Sequence, residues 1–368
     1  STIFLFDMST YEPGDNSVYT YKPLPDHHNT RLLHLQPGLP GEPLYDSLAI
    51  TNLDNCGCTY EAVSYAWGSS AKPQYISLDS RKLAITESLF TALQRFRSAQ
   101  SARVLWADAV CIDQANDIER SSQVNMMGEI YRGAASVLVW LGHEEDSHVQ
   151  GVLGGICKFL EDGAERHDYY WHESQVQTFE GEQVLFDPNK GDIAGLISMC
   201  ACDWFGRGWI LQEVALAHTA IIHWGHARCS FDMFAAALIE AGSIEYYEPM
   251  LNRPVLNRGL LISAIRKTQQ NIDFMVPFSA LLGYSRHQEF TNVKDRVYGL
   301  LGLQTVESIH TGGVTFVVPD YSLSDKACFQ QVAEKILIEG KDLSFLSRVR
   351  HVPDMHTDWP SWVPQWNK

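Results

Sequence analysis

The run Ser136-Val137-Leu138-Val139-Trp140-Leu141, closed by Gly142, is apolar at nearly every position. A strand that reads this way is covered on both faces, whereas a half-exposed strand alternates apolar and polar residues. Upstream, Tyr60-Glu61-Ala62-Val63-Ser64-Tyr65-Ala66-Trp67 stops at Gly68-Ser69-Ser70, and Arg103 to Ala107 stops at Asp108. Helical patterns lie between these strands. Thr86 caps one with apolar Leu89, Ala92, Leu93 and Phe96, and Asn116 or Asp117 caps one with Val124, Met127, Ile130 and Tyr131. Alternation at this spacing predicts an α/β fold, with a mostly parallel central sheet flanked by helices.

Working outward, Tyr75–Leu78 and Lys82–Ile85 flank Asp79-Ser80 as a hairpin. Residues 143–162 read as a helix. The irregular stretch that follows, with His167-Asp168-Tyr169-Tyr170-Trp171-His172, reads as a lid or insertion. Helices are predicted over Asp192–Cys200 and Trp209–Ala217, and a strand over Thr219–Trp224. Three regions result. Residues 1–45 form a polar, turn-rich arm with one candidate strand at Arg31–Leu35. Residues 46–230 form the α/β domain, and 231–368 a helical C-terminal extension packed on it. The extension ends with Trp359, Trp362 and Trp366, which must pack back onto the body.

Hydrophobic residues make up 45% of the 368, enough to bury a large core and to exclude wholesale disorder. Lys and Arg number 28 against 44 Asp and Glu, for a net charge of −16. That balance argues against nucleic acid and anionic membrane surfaces as partners. The eight cysteines are irregularly spaced and read as reduced thiols, which predicts a cytoplasmic protein. No apolar run approaches the roughly 20 residues of a membrane span. The apolar opening Ser1–Phe6 is short, has no basic region and meets Asp7, so it does not read as a signal peptide.

Phosphate-loop, dinucleotide-fingerprint, nucleophile-elbow and zincin signatures are absent from the sequence. The pairs Cys56/Cys58 and Cys200/Cys202 are too closely spaced for ordinary zinc ligation, so neither a metal nor a cofactor is expected. Cys111 follows a strand, but its neighbours Asp108 and Asp113 would raise its pKa, which favours a structural thiol over a nucleophile. Polar groups do gather at three strand ends or turns, where open parallel sheets place their sites. These are Ser64-Tyr65-Ala66-Trp67-Gly68, Asp108 with Gln114, and Arg207-Gly208-Trp209-Ile210-Leu211-Gln212-Glu213. Trp209 and Glu213 are four apart and share a helix face, which would desolvate the carboxylate. On spacing alone, the favoured reading is a core indole with Glu213 paired to Arg207 or Arg120.

The chain resembles the fungal heterokaryon-incompatibility (HET) domain family. The resemblance rests on residues 60–68 and on Leu105-Trp106-Ala107-Asp108-Ala109-Val110-Cys111-Ile112-Asp113-Gln114. It extends through Glu119-Arg120, Val139-Trp140-Leu141-Gly142 and residues 207–213. Downstream, Asp295-Arg296-Val297-Tyr298-Gly299-Leu300-Leu301-Gly302, Pro319-Asp320-Tyr321 and Pro360-Ser361-Trp362-Val363-Pro364 resemble the region that often follows that domain. The resemblance implies a role in non-self recognition and regulated cell death. It also implies a distant likeness to Toll/interleukin-1 receptor (TIR) domains, hence a TIR-like or flavodoxin-like sheet. Many TIR domains cleave NAD+ with one glutamate placed four residues after a tryptophan, and Trp209 and Glu213 match that spacing.

NAD+ is then the expected substrate and Glu213 the expected catalytic residue. Nicotinamide leaves as a neutral group from a cationic ring, so one carboxylate can suffice to steady the oxocarbenium-like sugar. Ser64, Tyr65, Gly68 and Trp67 form the expected strand-end wall, and Trp67 or Trp209 can stack on nicotinamide. Asp108, Gln114 and Arg120 can hold ribose or pyrophosphate, or simply brace the sheet. Self-association on activation and an incompatibility partner protein are the expected partners. The competing readings are a non-catalytic signalling or scaffolding module and a Cys111-dependent hydrolase.

Overall fold

A computed structural model describes residues 17–57, 59–144, 146–167, 177–178, 193–243, 253–310, 316–340, 343–349 and 359–366. The expected lid at 167–172 and Cys58 fall almost wholly outside them. The strands are β1 (Asn29–Leu35), β2 (Tyr45–Asn52), β3 (Glu61–Tyr65), β4 (Gln74–Leu78), β5 (Arg81–Ile85), β6 (Arg103–Trp106), β7 (Ser136–Trp140), β8 (Gln177–Thr178), β9 (Ala220–Trp224) and β10 (Ala227–Ser230). The helices of the α/β part are α1 (Glu87–Phe96), α2 (Asp108–Cys111), α3 (Asp117–Gly133), α4 (Asp146–His167), α5 (Ile193–Cys200) and α6 (Ile210–Ala215). The helical C-terminal region follows with α7 (Phe231–Ser243), α8 (Arg253–Gln270), α9 (Phe278–Tyr284), α10 (Asp295–Tyr298), α11 (Val306–His310) and α12 (Asp325–Lys335).

The sheet order is β5-β4-β2-β1-β6-β3-β7-β9-β10-β8. Its centre, β6-β3-β7-β9, is parallel throughout, and β1, β10 and β8 join its flanks antiparallel. In chain order the central four run 2-1-3-4. The order therefore reverses between β3 and β7, and their carboxyl ends flank the crevice where such sheets bind ligands. Ser64 on β3 turns toward α6. Trp140 on β7 turns the other way and bonds Thr91 of α1 at 3.3 Å.

Local chemistry explains the elements. Thr86 accepts the Leu89 amide at the start of α1, and Asn116 accepts the amides of Ile118 and Glu119 at the start of α3. Asp79 and Ser80 both sit at positive φ, 49° and 66°, so the hairpin turn is of the primed kind that matches strand twist. The terminal indoles do return to the body: Trp359 and Trp366 pack edge-on against Phe329 of α12.

The boundary expected at residue 45 falls inside a hairpin, because β1 pairs β2 along its whole length and β6 on its other side. Within the expected arm, Asn29–Leu35 is sheet. Buried polar contacts hold it there. Thr30 bonds Gln123 at 2.7 Å and Trp106 at 3.0 Å, and Arg31, 1% exposed, forms a fork with Glu119 at 2.6 and 3.0 Å. No helix among the described residues is long and apolar enough to cross a membrane.

Asp46 of β2 is buried, and Oδ2 has no partner. Burial pushes its carboxyl from 3.8 to about 7, against the opposing Gln36 amide and Arg97. A pKa raised by folding contributes stability that is complete below about pH 4 and lost as pH climbs through 7. Asp46→Asn should flatten the stability profile across that window and raise stability at pH 8 by about 1–3 kcal/mol, read by urea unfolding.

Candidate functional site

Four segments converge where β3 ends. β3 brings Ser64 and Tyr65, and the loop beyond carries Trp67 and Gly68. The β6–α2 junction brings Asp108. The 3-10 turn Asp203–Gly206 brings Trp204, and Arg207 follows it. The first turn of α6 brings Glu213.

Glu213 is 1% exposed. Ser64 donates its hydroxyl proton to Oε2, and the Trp204 indole N–H donates to the Ser64 oxygen at 2.8 Å. The Arg207 guanidinium spans both carboxylate oxygens, each contact 3.3 Å. Ser64 is thereby satisfied as donor and acceptor, and Glu213 receives three donors. Burial raises the Glu213 carboxyl above its ordinary range, while Arg207 and Ser64 pull the other way. Arg207 itself, its side chain 18% exposed, is pushed down by burial but held high by Glu213 and Asp108.

Asp108 shares that guanidinium electrostatically. It accepts from the Trp67 indole at 3.1 Å and the Tyr65 hydroxyl at 3.3 Å, and burial raises its carboxyl against Arg207. Trp67, Asp108 and Arg207 are half-buried, and they link in series to Glu213, which is buried. Gly68, exposed at φ 65°, lets the chain turn off the strand end. Ser64, Tyr65, Trp67, Gly68, Asp108 and Glu213 are therefore gathered at one place, two carboxylates around one cation.

The other expected residues belong to a neighbouring cluster. The Trp209 indole donates to Asp295 at 3.2 Å, and the Tyr321 hydroxyl donates to the same carboxylate at 2.6 Å. The Arg120 guanidinium lies 4.5 Å over the Tyr321 ring and pairs with Asp117, and Gln114 bonds the Asp108 carbonyl at 2.9 Å. The indole that reaches the Glu213 network is Trp204, which sequence reasoning passed over. Its only signal was a second tryptophan in Asp203-Trp204-Phe205-Gly206-Arg207. Asp295 was visible only as part of a downstream resemblance, with nothing local to join it to Trp209.

Cys111 is fully buried, and burial pushes its thiol up to about 12, which keeps it protonated and unreactive at neutral pH. No group of three or more His, Cys, Asp or Glu among the described residues is placed to hold a metal ion. A cleft of about 390 Å³ opens at the opposite end of β3, lined by Tyr60, Cys56, Asp54 and Glu129 among others. It is remote from the strand end that carries Glu213.

Removing one partner of a buried pair strands the other charge. Arg207→Met should cost about 3–5 kcal/mol, more at pH 8 than at pH 5, because Glu213 must then ionise unaided. Arg207→Met with Glu213→Gln should recover about 1 kcal/mol or more of that loss, measured as a double-variant cycle by urea unfolding.

Residues 60–213 match the family model described as Heterokaryon incompatibility protein (HET). The chain is 27% identical to "Heterokaryon incompatibility protein 6, OR allele" of Neurospora crassa, over 84% of this chain and 53% of that protein. It is 23% identical to "Vegetative incompatibility protein HET-E-1" of Podospora anserina, over 81% of this chain and 17% of that protein. The chain thus spans about half the length of one relative and a sixth of the other. No solved structure matches it. The segment from Tyr60 to Glu213, which matches the heterokaryon-incompatibility (HET) family, contains the whole convergence at the end of β3.

Proposed function

We propose that the chain acts in heterokaryon incompatibility as a cytoplasmic cell-death effector, and that its chemistry is cleavage of the nicotinamide–ribose bond of NAD+ by Glu213. The two relatives are named as incompatibility proteins, which supports the role in incompatibility. One observation carries the chemistry: the buried carboxylate of Glu213 stands at the carboxyl end of β3, where the strand order reverses, next to the half-buried Arg207 and, beyond it, Asp108 and Trp67.

In this reading the N-glycosidic bond breaks, its electron pair leaves with neutral nicotinamide, and water adds at the ribose carbon with loss of a proton. Glu213 steadies the cationic sugar, Ser64 orients the carboxylate, and Trp67 offers a face to the nicotinamide ring. Arg207 must first leave Glu213, since a carboxylate already matched by a guanidinium has little charge to offer a sugar cation. Self-association and an incompatibility partner belong to the same proposal as the means of activation.

The fork between Arg207 and Glu213 favours a second reading, in which the network is a structural brace and the domain kills by recruiting other proteins. Nicotinamide release from NAD+ separates the two. The purified chain should release it, at least when concentrated or clustered. Glu213→Gln should lower the rate about 100-fold or more, and Cys111→Ala should leave it unchanged. No release at any concentration assigns the domain to the second reading.

A further inference from the structure

The stretch 205–208, which carries Arg207, is held from outside the family-matched segment. Gln288, 1% exposed, donates its side-chain amide to the carbonyls of Phe205 at 3.2 Å and Arg207 at 3.0 Å. The Glu289 amide donates to the Gly206 carbonyl at 2.7 Å, and the Gly208 amide donates back to the Glu289 carbonyl at 2.9 Å. Arg207 and Glu289 thus form a small parallel bridge. Phe290 seals it, lying so close to Gly208 that a Cβ there would meet the ring at 1.8 Å.

This bridge fixes the backbone from which the Arg207 side chain reaches Glu213. Trp204 and Phe205 anchor the start of the turn, one bonded to Ser64 and the other packed on Phe234, so the bridge bears on the backbone from Gly206 to Gly208. We propose that residues 288–290 are a latch. While docked, they hold the Arg207 guanidinium on Glu213 and keep the carboxylate neutralised; lifted, they let Arg207 swing away and expose a charged Glu213 beside Ser64. The catalytic consequence rests on the function proposed above, but the latch itself does not.

Carbodiimide-driven coupling of glycine ethyl ester to carboxylates, located by mass spectrometry, reads the latch directly in the full chain. In the wild type, Glu213 and the distant buried Asp46 should both resist labelling. In Gln288→Ala, Glu213 labelling should rise about tenfold or more while Asp46 stays protected. If both rise together the variant has unfolded, and Phe290→Leu decides by the same criterion. Unchanged Glu213 labelling in a folded variant overturns the latch, as does a loss of labelling contrast between the two sites in both variants. Nicotinamide release should rise with Glu213 labelling and vanish when Glu213→Gln is added. Labelling that rises without any nicotinamide supports the latch and counts against NAD+ cleavage.

Discussion

Two carboxylates and one guanidinium, one carboxylate buried and the other two groups half-buried, set the terms for everything around the end of β3. Glu213 and Asp108 both lean on Arg207, and each is raised above its ordinary pKa because burial outweighs that help. Taking such charges out of water costs several kcal/mol per ion. The arrangement persists because almost every remaining valence is filled. Ser64 and, behind it, Trp204 serve Glu213, while Trp67 and Tyr65 serve Asp108. A shift of any one segment leaves a buried charge without its partner. These contacts join β3, the β6–α2 junction, the turn at 203–206 and α6.

The C-terminal region is part of that unit. Gln212, next to Glu213, donates to the Tyr298 carbonyl at 3.1 Å and accepts the Gly302 amide at 3.0 Å. Gly128 and Gly302 meet so closely that a Cβ on Gly128 would lie 2.8 Å from the other's Cα, which lets α3 and this segment touch. Arg266 of α8 satisfies the carbonyls at the end of α6, those of Val214 and Ala217 at 2.7 Å each. Asp295 and Tyr321 hold Trp209 and Arg120. A helix of six residues has little stability of its own, and here its orientation is supplied by the polypeptide that follows it.

Much of this architecture was legible from periodicity and caps. The buried run at 136–141, the Thr86 and Asn116 caps and the Asp79-Ser80 turn each express a short-range rule, and each element formed within a few residues of its expected limits. The convergence of the strand ends at 64–68 and 108 with Glu213 was also readable, since parallel sheets put their loops on one edge. The failures have a common cause. Trp209 and Glu213 share a helical spacing, yet Trp209 was claimed by Asp295, 86 residues away in sequence. The strand β1 was set apart with the polar, turn-rich residues that precede it. The chain instead turns after β1 and comes back as β2, and Arg31 finds Glu119 on α3.

The sequence by itself determined the α/β class, the strand and helix positions and the set of polar residues at the sheet's carboxyl edge. Those properties follow from side-chain period, capping and turn chemistry, which act over a few residues. Only the tertiary structure decided which of those residues touch. It gave Glu213 to Arg207, Ser64 and Trp204, and it placed residues 288–290 against the turn that carries Arg207. Partner choice among buried polar groups depends on which donors are brought within hydrogen-bond reach after the core has closed, and no local spacing encodes that distance.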